Sequence, residues 1–197
     1  EVASTLNENL LTHHLLGKTK DDATRLSLLG YYLDNLRTTL FRQTLFAEFE
    51  LAIHQAAEKN APITGEKLSE RYLELVRDYY GHDKGVTQVD ELIATEWAFI
   101  PHFYGNFYVY RYATSIVAAT ALATAIREDA AKGSTAARDR YLALLKAGGS
   151  KYPVDLLKAA GVDPTTSKPF EAAMAEMNRT MDEMEKILAR QDKPTKK

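Results

Sequence analysis

Apolar residues recur three and four positions apart along most of this chain, the spacing that places them on one face of an α-helix. The pattern begins in residues 1–16, where Gly17 is a plausible stop, and it returns at the end of the chain in residues 170–188. No segment shows convincing alternation of apolar and polar residues, which is the mark of a half-buried β-strand. The sequence therefore predicts an all-α protein with the architecture of a multi-helix bundle.

Capping and turn residues divide the helical pattern into segments. Asp21-Asp22 offers an N-cap for a long helix that reaches about residue 60 and is interrupted near Gly30 or between residues 35 and 39. The other predicted helices span residues 68–80 after a Thr64 cap, 101–132, a segment from Ser134 or Thr135 to residue 146, and 153–160 before Gly161. Residues 86–100 are ambiguous. We expect one helical domain over residues 1–191 and a flexible basic tail at 192–197.

Charge and cysteine content exclude several classes of function. Lys and Arg total 25 against 27 Asp and Glu, so the net charge of −2 gives no reason to expect nucleic acid or an anionic membrane as partner. The absence of cysteine excludes disulfides, thiol nucleophiles and thiolate metal sites, and leaves His, Asp and Glu as the strong metal ligands. No apolar run approaches the roughly 20 residues that span a bilayer. A reducing cytoplasm is the default expectation.

One stretch, PHFYGNFYVYRYATS at residues 101–115, concentrates hydroxyl groups beside an otherwise plain helical pattern. If a helix begins at its proline, His102, Asn106 and Tyr110 share one face, and a second stripe is formed by Tyr104, Tyr108 and Tyr112. Buried phenols need hydrogen-bond partners. Periodicity alone leaves two interpretations open, a satisfied aromatic core or a polar wall that faces a substrate cleft.

Local motifs exclude further enzyme classes. The chain has no GxxxxGK[ST] phosphate loop, no GxGxxG and no GxSxG nucleophile elbow, and none of its five histidines completes the ExxH pairs of di-iron bundles. Glu50 and His54 are four residues apart, which favours a solvent-exposed helix pair over a functional one. The polar triplet at residues 42–44 interrupts an apolar helix, so its burial would require a complete hydrogen-bond network, and a structural role is predicted.

Four separated segments in order carry a family resemblance: EVASTLNE at residues 1–8, FRQTLFAEFE at 41–50, residues 102–112, and GGSKYP at 148–153. Together they resemble the oligoendopeptidase F group of the thimet oligopeptidase (M3) family of zinc metallopeptidases, over essentially the whole chain. The resemblance implies a helical catalytic domain around a deep channel, in which zinc-bound water hydrolyses short peptides. The chain would be the carboxy-terminal portion of that domain.

The same resemblance assigns a metal role to the first residues. Glu1 matches the family's third zinc ligand, and Glu8, two helical turns away on the same face, would orient a metal ligand or form a solvent-exposed salt bridge. The chain contains no HExxH, so both zinc-binding histidines and the general-base glutamate are expected upstream. Because catalytic zinc needs about three protein ligands, we expect the isolated chain to bind Zn²⁺ weakly or not at all and to be inactive.

The resemblance also assigns the substrate wall. His102 and Tyr110 match the family's histidine and tyrosine that donate hydrogen bonds to the peptide and to the oxyanion. Tyr108 and Tyr104 are the expected companions, with Tyr108 ranked first.

The expected partners are short peptides and the missing amino-terminal part of the same enzyme. Self-association is also expected, through apolar surfaces that this part would cover. The alternative is a non-enzymatic helical scaffold or protein-interaction module, in which the tyrosines pack internally. An HExxH motif upstream of Glu1 would favour the peptidase, and its absence would favour the scaffold.

Overall fold

The computed structural model describes residues 1–191, and within that range the chain forms helices, turns and loops without a β-strand. The predicted all-α class is therefore confirmed. The α-helices of this range are α1 (Val2–Lys18), α2 (Asp22–Leu36), α3 (Arg42–Glu58), α4 (Gly65–Tyr79), α5 (Tyr110–Ala131), α6 (Ala136–Ala147), α7 (Pro153–Ala160) and α8 (Lys168–Gln191). None of them is long and apolar enough to cross a membrane. The predicted tail at 192–197 lies outside the described residues.

The predicted helix boundaries follow from local capping chemistry. The carboxylate of Asp21 accepts the backbone amide of Thr24 at 2.8 Å, so Asp21 is the N-cap of α2. Thr64 caps α4 in the same way through the amide of Lys67 at 3.3 Å. Helix α7 begins at Pro153 and ends before Gly161, whose φ of +102° lies in the region that glycine tolerates. These boundaries are confirmed.

The long helix predicted from residue 22 to residue 60 is interrupted where the sequence indicated. A π-helical turn at Arg37–Phe41 separates α2 from α3. Such a turn inserts one residue into the i→i+4 ladder, so the helix continues with its faces rotated.

The single helix predicted over residues 101–132 is wrong. Pro101–Tyr104 is a short 3-10 segment, a loop follows at residues 105–109, and α5 begins only at Tyr110. Phe107 explains the break, because its φ of +52° is left-handed and cannot continue a right-handed helix. His102 and Tyr110 therefore do not share a helix face. The ambiguous residues before them contain another 3-10 segment, Glu91–Phe99, capped by the Asp90 carboxylate.

The chain forms two compact units. The first unit contains residues 1–37 and, of the described chain, residues 114–191. In it α2 packs on both α1 and α8, and α6 packs on α7. The small side chains of α5 allow helices to pack closely in the core of this unit, as the alanine-rich sequence predicts. The core residues are Leu6, Ala118, Ala119, Leu122, Ala123, Tyr141, Ala160 and Val162, with Leu16, Leu29 and Ile187 in a second cluster.

The second unit contains residues 38–113. Here α4 packs on α3 and on the 3-10 segment Glu91–Phe99. Its core is rich in aromatic rings, and Phe49 makes edge or tilted contacts with Tyr72, Trp97 and Phe103. The buried members of this core are Leu45, Phe46, Phe49, Tyr72, Leu75, Val76, Ile100 and Val109. Ile100 and Val109 lie in this core on either side of residues 101–108, the first part of the aromatic stretch that the sequence singled out.

Candidate functional site

Three side chains of the aromatic stretch converge in the second unit. Nε2 of His102 lies 3.3 Å from the hydroxyl of Tyr112, and that hydroxyl lies 3.5 Å from the hydroxyl of Tyr108. The Tyr108 ring stacks on the His102 ring at 5.5 Å, and the Tyr112 ring meets both rings edge-on. We call these three residues the His102 cluster. It offers several hydrogen-bonding groups within a small volume.

The His102 cluster borders an open cleft. Its volume is about 220 Å³, and it is lined by Pro101, His102, Gly105 and Tyr108. The guanidinium of Arg111 lies 4.3 Å from the centre of the Tyr108 ring, a cation–π contact that holds the ring from its other side. His102 and Tyr108 therefore border a small open cleft whose lining is almost entirely apolar.

The four substrate-wall residues predicted from the sequence occupy different environments. His102 and Tyr108 lie together in the His102 cluster, whereas Tyr104 is 88% exposed and Tyr110 is 52% exposed. Tyr112, which received no role from the sequence, forms the hydrogen bond to His102. The sequence feature that could have identified Tyr112 is its spacing of four residues from Tyr108. Tyr112 lies in the first turn of α5.

Glu50 is buried, so the expectation of a solvent-exposed pair with His54 is wrong. Its side chain lies between core residues of α3, and Oε1 accepts the backbone amide of Phe107 at 2.7 Å. The ring of His54 stacks on the ring of Phe107 with 4.4 Å between centroids. Both residues of the predicted pair therefore hold the loop at residues 105–109. Sequence spacing could not show this, because the two segments are far apart in the chain.

The polar triplet at residues 42–44 has the structural role that the sequence predicts. Arg42 pairs with Glu96, which also accepts a hydrogen bond from the hydroxyl of Tyr72. Burial and the Glu96 carboxylate raise the pKa of the Tyr72 phenol well above its usual range. Thr44 bonds the carbonyl of Leu40. The network is incomplete at Gln43, whose buried Oε1 has no partner among the described residues.

Glu1 and Glu8, the candidate metal residues, lie in the first unit on α1 or at its start. Glu1 is exposed, and its Oε2 accepts a hydrogen bond from the hydroxyl of Ser4 at 3.2 Å. Glu8 is also exposed and borders a small cavity with Asn9 and Thr12. Residues 1–191 contain no group of three or more His, Asp or Glu that could hold a metal ion. One exposed carboxylate is available as a ligand, and the described residues do not complete a zinc site.

A cleft in the first unit surrounds a charged cluster that the sequence did not indicate. Its volume is about 720 Å³, and the buried Glu176 lies in its wall. Burial raises the pKa of Glu176, but contacts with His13 and Arg179 and the charge of Arg127 outweigh that effect and lower it to about 2.

The geometry of this cluster fixes the tautomer of His13. Arg127 donates to Nδ1 of His13 at 2.7 Å, and since an arginine cannot accept, Nδ1 is unprotonated. The proton is then on Nε2, 2.9 Å from Oε1 of Glu176. This contact does not have hydrogen-bond geometry, and a histidine with one ring proton is neutral, so we describe it as a close polar contact. Arg127 and Arg179 place positive charge beside the buried carboxylate of Glu176, so the cluster stabilises the fold of the first unit.

Comparison with known proteins identifies related sequences and structures. The sequence model of Peptidase family M3 matches residues 1–176. Oligopeptidase PepF of Bacillus subtilis (strain 168) is 47% identical over 188 residues, which are 95% of this chain and 27% of that protein. An oligoendopeptidase F homolog of Lactococcus lactis subsp. lactis is 44% identical, over 95% of this chain and 30% of that protein.

Solved structures give the same result. The crystal structure of oligoendopeptidase-F from Enterococcus faecium superimposes with a TM-score of 0.87 at 44% sequence identity, over 96% of this chain and 35% of that one. A putative peptidase from Chlamydophila abortus superimposes with a TM-score of 0.83 at 41% identity, over 95% of this chain and 30% of that one. The chain thus spans about 30% of the length of the curated relatives it matches.

Proposed function

The chain belongs to peptidase family M3, and from that membership we propose that it is the carboxy-terminal part of a zinc-dependent oligoendopeptidase that hydrolyses short peptides. The names of the relatives support peptide hydrolysis, and the fraction of their length that the chain covers supports a partial catalytic domain. In this proposal the rest of the catalytic domain is the chain's principal partner.

The contribution of the chain to the metal site is limited to one ligand. Zinc in a hydrolase needs about three protein ligands, and residues 1–191 do not supply such a group. We assign Glu1 as one carboxylate ligand and Glu8 as the residue that orients a metal ligand. The other ligands and the general base are assigned to the part of the protein outside this chain, so the isolated chain is an inactive portion of the enzyme.

The observation that carries the proposal is the convergence of His102, Tyr108 and Tyr112 beside an open cleft. Hydrolysis of an amide places negative charge on the carbonyl oxygen, and donors already fixed at that position lower the barrier without reorganising. The single proton of the Tyr112 hydroxyl goes to Tyr108, so Nε2 of His102 donates to Tyr112, and the hydroxyl of Tyr108 is left to donate to a peptide carbonyl. His102 is assigned to the same wall and would donate to a substrate in place of Tyr112. Tyr110, on the first turn of α5, is assigned the same type of role.

The experiment compares two polypeptides, residues 1–197 and the product of the complete reading frame that encodes them. Both are purified, dialysed with Zn²⁺ and assayed with internally quenched peptides of about 8 to 12 residues and with a folded protein substrate. We expect the complete product to cleave the short peptides, to spare the folded protein and to lose its activity with a chelator. We expect no cleavage by residues 1–197.

Two results would contradict the proposal. Chelator-sensitive cleavage by residues 1–197 alone would show that this chain contains a complete site. Absence of peptidase activity from a folded, zinc-loaded complete product would remove the enzymatic function and favour a helical scaffold.

A further inference from the structure

We infer that Glu50 is a positioning residue for the His102 cluster and acts through the backbone amide of Phe107. The inference rests on the proposed function, because it names a residue that the substrate wall of that function requires. Glu50 itself is buried in α3 and does not belong to the cluster. Its effect on a substrate would be exerted through the loop at residues 105–109.

The first step concerns the backbone of the loop. Phe107 has a φ of +52°, a conformation that a residue with a Cβ atom adopts at a cost and keeps only where its surroundings hold it. Its amide is held by Oε1 of Glu50 at 2.7 Å. At this length, and with a side chain that is only 3% exposed as acceptor, the bond is short and largely shielded from solvent. Glu50 thus stabilises a backbone conformation that the sequence of the loop does not favour.

The second step concerns the neighbouring amides. Gly105 N donates to the carbonyl of His102 at 3.1 Å, and Tyr108 N donates to the carbonyl of Gly105 at 3.0 Å. These two bonds form consecutive turns that connect the histidine to the tyrosine. The amide of Phe107 lies between them and depends on a side chain from α3. Without the carboxyl group this partly buried amide loses the acceptor that fixes it, so the turns would loosen or rearrange.

The third step connects the loop to the cluster. Tyr108 follows Phe107 directly, and its ring stacks on His102, which lies before the loop. Val109 is buried and holds the far end of the loop in the core. With both ends anchored, a change at Phe107 is confined to residues 105–108. The stacking of Tyr108 on His102 is therefore the contact that the loss of Glu50 would disturb most.

The experiment uses the product of the complete reading frame and three variants. Glu50→Ala removes the acceptor, and Glu50→Gln keeps an oxygen acceptor of similar reach. Glu48→Ala is the matched control, because Glu48 lies two residues away on α3 and bonds Arg71 and Tyr79 instead of the loop. Two readouts are recorded: amide hydrogen exchange of peptides that cover residues 101–112 and 44–55, and separate values of kcat and KM.

We expect Glu50→Ala to accelerate exchange in residues 101–112 and to lower kcat about tenfold to hundredfold, the effect of misplacing a catalytic contact by about an ångström. KM should change less, since the affected interactions strengthen in the transition state. Glu50→Gln should restore most of the wild-type exchange rate in residues 101–112 and most of kcat. Glu48→Ala should leave that exchange rate and kcat unchanged. A general loss of stability would accelerate exchange in residues 44–55 as well and would not be restored selectively by glutamine.

Two results would overturn the inference. In the first, Glu50→Ala leaves exchange in residues 101–112 at the wild-type rate. In the second, the loop loosens while kcat of an active enzyme is unchanged. If the wild-type product is inactive, the proposed function fails, and the exchange data alone then decide whether Glu50 holds the loop.

Discussion

The hydroxyl of Tyr112 lies 3.3 Å from Nε2 of His102 and joins two segments that a helix does not connect. His102 belongs to the 3-10 segment Pro101–Tyr104, and Tyr112 belongs to the first turn of α5. The bond therefore spans the loop at residues 105–109 from one side, while Glu50 holds it from α3. The hydroxyl of Tyr112 therefore fixes the orientation of the His102 ring, although Tyr112 itself does not line the cleft.

Replacement of Tyr112 by phenylalanine should test this bond. The variant keeps the ring that contacts His102 and Tyr108 and removes only the hydroxyl. Since Tyr112 acts through His102, we expect kcat of the complete enzyme to fall about tenfold, with little change in KM and an unchanged melting temperature. Tyr31→Phe, at a 60% exposed tyrosine of the first unit, is the control. A wild-type kcat in Tyr112→Phe would show that the bond does not position His102.

Phenylalanine variants of Tyr108 and Tyr104 test which of the two hydroxyls contributes more to catalysis. Tyr108 contacts His102 directly, whereas Tyr104 is 88% exposed. We expect Tyr108→Phe to lower kcat by about a hundredfold, as for loss of one oxyanion donor, and Tyr104→Phe to have a smaller effect. Steady-state kinetics of the two variants decide the order. Equal losses, or a larger loss for Tyr104→Phe, would show that the cluster is not the donor group.

Local chemistry accounts for what the sequence predicts correctly. Asp21, Thr64, Pro153 and Gly161 each act within about one helical turn, and all four boundaries are where the sequence puts them. The apolar spacing also identifies the helices that pack in each unit. These features depend on neighbours in the chain, so one sequence is sufficient to read them.

The errors come from interactions between distant segments. The loop at residues 105–109 depends on Glu50, which is 57 residues from Phe107 in the chain. The prediction of a single helix over residues 101–132 also neglects a local turn signal, because Gly105 and Asn106 are poor residues for a helix interior. The same distance hides the burial of Glu50. Glu176 and His13 are more than 160 residues apart, and their contact has no sequence signal either.

The charged cluster around Glu176 should make the stability of the first unit depend on acid. The pKa of Glu176 in the folded protein is about 2, below the 4.5 of a free glutamate, so its contribution to stability is complete above about pH 4.5 and disappears as the pH falls toward 2. The shift corresponds to a free energy of unfolding on the order of 3 kcal/mol. Urea unfolding at several pH values should show a smaller acid-induced loss in Glu176→Gln than in the wild type. Equal slopes would contradict a depressed pKa.

Removing one partner of the partly buried Arg42–Glu96 pair should destabilise the protein more than replacing both partners by apolar residues. Glu96→Leu leaves Arg42 without its partner and takes the acceptor from the hydroxyl of Tyr72. We expect a loss of about 2 kcal/mol in the free energy of unfolding, since both charges keep some solvent access. Arg42→Met combined with Glu96→Leu should recover part of it, because no unpaired charge remains. Urea unfolding of the single and double variants measures the coupling, and additive losses would argue against a direct pair.

Zinc binding tests the metal role of Glu1 in two proteins. Residues 1–197 alone should retain less than one equivalent of Zn²⁺ after dialysis, since one exposed carboxylate cannot replace the roughly three ligands of a zinc site. In the complete product we expect Glu1→Gln to lower the zinc content measured by plasma mass spectrometry. Glu8→Gln should weaken the affinity for Zn²⁺ by about tenfold, the usual effect of losing a residue that orients a metal ligand. Glu66→Gln, at an exposed glutamate in the first turn of α4, is the control. Full zinc content in Glu1→Gln would show that the metal is held by other groups and would leave Glu1 only as the residue before α1.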